Sequence, residues 1–95
     1  MSYTEEFLNK MISVGTLGYS AQKIINVLDV AYEKEAEFLS DFENPDSAIF
    51  KAYKKGLDKA DYAIDMKLFE KARGGDLKAL QKYEERKYYE QQRNG

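Results

Sequence analysis

Neither cysteine nor histidine occurs among the 95 residues. Their absence excludes disulfides, thiolate nucleophiles, the commonest transition-metal ligands and the side chain most often used as a general base near neutral pH. Zinc sites, Ser/His/Asp triads and Cys/His dyads go with them. Tryptophan is missing too, and proline occurs once. No apolar run approaches the roughly 20 residues of a membrane span, and the opening Met1-Ser2-Tyr3-Thr4-Glu5-Glu6 lacks the basic flank and apolar stretch of a signal peptide. These absences lead to the expectation of a cytoplasmic protein with no membrane partner, no metal, no cofactor and no catalytic chemistry of its own.

What is present is helix-forming and highly charged: 43% of the residues are hydrophobic and 34% charged, far from a disordered or collagen-like composition. A domain of this length buries only about 60 to 65% of the surface its unfolded chain exposes, so its stability is modest unless it assembles. The net charge of −2 hides a polarity. Residues 1–50 carry three lysines against nine acids, and residues 51–95 carry twelve Lys and Arg against eight. Such asymmetry suits head-to-tail association or a basic face offered to an acidic partner.

Apolar spacing predicts an all-α fold: short amino-terminal helices over 1–45, helix-turn-helix-like, then a long helix and a helical hairpin over 46–95. Thr4 is positioned to cap a first helix with Phe7, Leu8, Met11 and Ile12 on one stripe, stopping near Gly15. Ser20 caps a second, about three turns long, with Ile24, Ile25, Val27 and Leu28 inward. A third begins after Val30-Ala31-Tyr32, with Ala36, Leu39 and Phe42 on its apolar face, and Asn44-Pro45 ends it. Asp46 or Ser47 caps the long helix to Arg73, following Ile49, Tyr53, Gly56 or Leu57, Ala60, Ile64 and Leu68. Gly74-Gly75 stops it, Asp76 caps a fifth helix through Leu77, Leu80 and Tyr83, and the residues from Tyr88 to Gly95 are expected to fray.

The acids from Glu33 to Asp46 lack the ligand alternation of a calcium loop and read as a solvated helix face. Gly74-Gly75 follows a helix and lacks the Gly-Lys-Ser/Thr ending of a phosphate-binding loop. Of the eight tyrosines, Tyr53, Tyr62 and Tyr83 fall on or beside apolar faces, which leaves Tyr88 and Tyr89, next to Arg86 and Lys87, for base stacking. The second and third helices have helix-turn-helix lengths. Yet a recognition helix holding five acids and only Lys34 meets the phosphate backbone with the wrong sign. The expected phosphate contacts are instead Lys51, Lys54, Lys55 and Lys59, since Lys51, Lys55 and Lys59 lie four apart along one helix face. A long apolar stripe on a marginal core makes Ile64, Leu68, Leu77 and Leu80 the expected oligomer interface.

From about Tyr19 to Arg86 the order of features resembles the small terminase subunits of tailed bacteriophages. The resemblance rests on Ala52, Gly56, Ala60-Asp61, Ile64, Leu68-Phe69, Lys71-Ala72, Gly74-Gly75-Asp76 and Lys78-Ala79-Leu80, which look like that family's long helix, Gly-Asp turn and closing helix. It implies a DNA-packaging protein in a bacterial host cell: a homo-oligomer built on the hairpin, with double-stranded DNA and a large motor subunit as partners. The acidic third helix and the run Gln81-Lys82-Tyr83-Glu84-Glu85-Arg86 depart from the family pattern. Two other classes fit the same chain, a small helix-turn-helix transcriptional regulator and a virion or assembly protein that binds protein only.

Overall fold

The first helix, α1 (Glu5–Leu17), begins where Thr4 accepts a hydrogen bond from the Phe7 N–H at 3.1 Å, and Glu5 and Glu6 place negative charge at the positive end of its dipole. The computed structural model describes residues 3–94, with side chains from 3 to 90. α1 runs past the expected stop at Gly15. Its end is set by Gly18, left-handed at φ 69°, with Gly18 N–H donating to Gly15 O and Tyr19 N–H to Val14 O. Gly15 has another use. A Cβ there would lie 2.2 Å from Tyr53 O, and one at Gly56 would lie 2.0 Å from Ile12 O, so the two glycines let α1 and the long helix cross backbone to backbone.

Ser20 caps α2 (Ala21–Val27) by accepting from Lys23 N–H at 3.3 Å. The helix makes two turns where three were expected, because Asp29 turns the chain in the left-handed region at φ 55° and Val30 N–H closes back on Ile25 O. Ile24 and Ile25 are buried and Leu28 is half-buried, but Val27 is 53% exposed, falling outside the arc those three share. A single 3-10 turn (Tyr32–Lys34) then leads into α3 (Glu35–Glu43). Its inward face is Phe38 with Phe42, one turn apart; the expected Ala36 and Leu39 are exposed. Two aromatic rings remove far more surface from water than Ala and Leu, and Phe38 meets Phe7 edge-on at 6.4 Å. Asn44 ends α3 in extended geometry ahead of Pro45.

The long helix α4 (Ala48–Arg73) starts at Ser47, whose hydroxyl accepts from Phe50 N–H and donates to Asp41 O. Contacts divide the chain into two compact units, one through Ala60 and one from Asp61 on; the expected boundary lay ahead of α4, at 45/46. In the first unit Ile49 and Ala52 of α4 join Met11, Val14, Ile24, Ile25 and Phe38 in one core. Around it the rings of Tyr3, Phe7, Phe38, Phe42 and Tyr53 follow one another at 4.9–6.4 Å, and Tyr53 donates to Tyr19 O at 2.7 Å.

In the second unit, Gly75 (φ 95°) and the Asp76 cap, which accepts from Ala79 N–H at 3.0 Å, return the chain into α5 (Leu77–Asn94). α5 continues through the stretch expected to fray, since no glycine or proline interrupts its helix-favouring Glu, Gln and Arg residues before Gly95, which lies outside the described residues. The architecture is all-α: five helices and one 3-10 turn, with no strand among the described residues and no described helix long and apolar enough to cross a membrane.

Candidate interaction surfaces

Lysines 51, 54, 55 and 59 all lie in the first unit and are all exposed. Ile49, Ala52 and Gly56 turn one side of α4 into the core, which leaves Lys51 and Lys54 on the far side and Lys55 on the flank; Lys59 follows one turn later, where the core contact has ended. Lys54 pairs with Asp58 at 3.5 Å, both side chains more than half exposed, a contact worth only a few tenths of a kcal/mol. Among the described residues Lys51, Lys55 and Lys59 have no ion-pair partner. The stripe therefore offers three uncompensated cations and one weakly compensated.

The segment from Glu33 to Glu43 presents the opposite sign. Glu33, Glu37 and Glu43 are exposed, Glu35 and Asp41 half-buried, and Lys34 is the sole cation of the segment. Asp41 is tied to α1: it accepts from the Tyr3 hydroxyl at 2.7 Å, and burial together with this bond pushes the Tyr3 phenol up from its ordinary value. Among the described residues no group of three or more carboxylates is arranged to hold a metal ion.

The hairpin of the second unit has a sparse interior. Ala79 is its one buried apolar residue among those described, with Leu68, Ala72 and Tyr83 half-buried and Tyr83 against Phe69 at 5.7 Å. Of the four expected interface residues, Ile64 (46% exposed), Leu77 (78%) and Leu80 (40%) are open to solvent, whereas Leu68 lies toward the interior. Tyr62, expected on or beside an apolar face, is largely exposed.

A polar clamp absent from the sequence-based expectations holds the two helices in register. Arg86 donates from Nε to Asp65 at 2.5 Å and from a terminal nitrogen to Asp61 at 3.2 Å, spanning two carboxylates one turn apart. The bond to Asp65 is the main reason the guanidinium is pushed up from its ordinary value. The Asp61/Asp65 spacing of four was a legible signal, but pairing it with a residue on another helix requires the loop geometry. Tyr89 and Glu90 complete a shallow depression of about 220 Å³ around the clamp.

The first unit also holds an open, largely apolar groove of about 330 Å³ walled by Phe7, Leu28, Val30 and Phe38. The surfaces of this all-α chain are thus a lysine stripe, an acidic third helix, an apolar groove and a thinly packed hairpin. No protein-family model, curated protein or solved structure matches the chain.

Proposed function

We propose that the chain is a non-catalytic DNA-packaging protein of the small-terminase kind, which oligomerises through its hairpin and binds duplex DNA through the α4 lysines in the cytoplasm of a bacterial host. One observation carries the reading: the hairpin leaves Ile64, Leu77 and Leu80 in water while burying only Ala79 among its described apolar residues. Two helices with so little interior gain stability by covering that surface with further copies. Lys51, Lys55 and Lys59, without an ion-pair partner among the described residues, then supply phosphate contacts, and a large motor subunit is the partner implied by the family resemblance.

Light scattering after size-exclusion chromatography, with and without duplex DNA, tests both parts. A multimer that Leu77→Asp dissociates, together with salt-sensitive DNA binding that Lys51→Gln/Lys54→Gln/Lys55→Gln weakens, supports the reading. Each phosphate contact removed lowers the slope of log affinity against log salt by about one. A multimer indifferent to DNA would favour the second reading, an assembly protein that binds protein only, which the exposed carboxylates of α3 support.

A further inference from the structure

The apolar groove of the first unit carries Asp29 and Lys34 among its lining residues. Both are exposed, and among the described residues neither forms an ion pair. An unpaired acid and an unpaired base beside one groove make that face self-complementary. Across a twofold axis Asp29 of one copy meets Lys34 of the other, and the reverse pair forms at the same time.

Tyr32 is the second element. It is 85% exposed, more than any other large hydrophobic side chain described, and no hydrogen bond or ring contact holds it. It directly follows Ala31, a lining residue, so the ring is rooted at the lip of the groove. A groove of about 330 Å³ holds an aromatic ring.

We propose that this face is a contact between two copies of the chain, in which each Tyr32 enters the other's groove and Asp29 pairs with Lys34 in both directions. The contact goes beyond the hairpin association proposed above and uses none of its residues. With the hairpin contact it makes assembly a two-step process.

Sedimentation equilibrium separates the two. In a Leu77→Asp background, which removes the hairpin contact, the chain remains a dimer; adding Tyr32→Ser raises its dissociation constant at least about tenfold, while Tyr32→Phe does not. Lys34→Glu, which sets two carboxylates face to face, weakens the dimer as well. Among the described residues the Tyr32 and Lys34 side chains form no hydrogen bond or ion pair and both are exposed, so the melting temperature measured at a concentration too low for association stays near the parent value. A Leu77→Asp chain that is already monomeric, or whose dimer survives Tyr32→Ser, overturns this contact and leaves the hairpin reading intact. If Leu77→Asp leaves the wild-type mass unchanged while Tyr32→Ser lowers it, the hairpin reading falls and this contact stands.

Discussion

Up to Ala60, α4 lays Ile49 and Ala52 into a core of seven buried apolar residues and uses Gly56 to bring its backbone against α1. Beyond Ala60 the same helix has Asp61, Asp65, Leu68 and Ala72 on its inward side, with the clamp on Arg86 and one buried alanine on α5. The first unit is held by shape, the second by a few polar bonds and half-covered side chains. Close packing is intolerant of small changes, whereas exposed ion pairs contribute little each, so the two units should respond very differently to substitution.

Phe38→Ala strikes the first unit hardest. Phe38 is fully buried, so the change should cost about 3–5 kcal/mol, while Leu39→Ala next door, on an exposed side chain, should stay within about 0.5 kcal/mol. Chemical denaturation of the pair measures the contrast, and comparable losses would place the inward face of α3 elsewhere.

Gly56→Ala comes next. The added methyl meets a backbone carbonyl at 2.0 Å, which cannot rotate away, so the helices must separate at a cost of about 3 kcal/mol. A melting temperature equal to the parent's would show that the crossing is looser than described.

Arg86→Ala should cost the second unit about 1 kcal/mol, because the guanidinium is one-third exposed and its partners are partly solvated. Hydrogen exchange should report this in α5 amides and leave α1 and α3 protected. Equal loosening of both units would remove the distinction between them.

The smallest effect is at alkaline pH. The folded state holds the Tyr3 proton above the ordinary phenol value of 10.0, so between that pH and the raised folded value the unfolded chain binds fewer protons than the folded one. Stability from this group is complete below about pH 10 and is lost as pH rises further. Relative to Tyr3→Phe, the wild-type melting temperature should fall more steeply above pH 10, and parallel profiles would show that the Asp41 bond does not persist in solution.

Helix starts were largely legible because capping chemistry is local, whereas the ends of α1, α2 and α5 were not. Thr4, Ser20, Ser47 and Asp76 each accept from an N–H three residues on, a relation written in the sequence itself. The inward face of α3 was less so: Ala36, Leu39 and Phe42 make as good a helical stripe as Phe38 and Phe42, and only the ring of Phe7, 31 residues away, favours the second. Of the candidate surfaces, the lysine stripe follows from spacing along one helix. The Arg86 clamp and the Asp29–Lys34 groove join residues that no single helix places together.

By itself, then, the sequence determined the all-α class, the starts of most helices, the absence of cysteine and histidine chemistry and the uneven charge, all of which depend on residue type or on neighbours within four positions. The tertiary structure decided what each glycine and each aromatic ring is for. Gly15 reads locally as a helix stop and Gly56 as one more small residue on a stripe. They become a crossing point only when two helices far apart in the chain approach until a methyl group no longer fits between them.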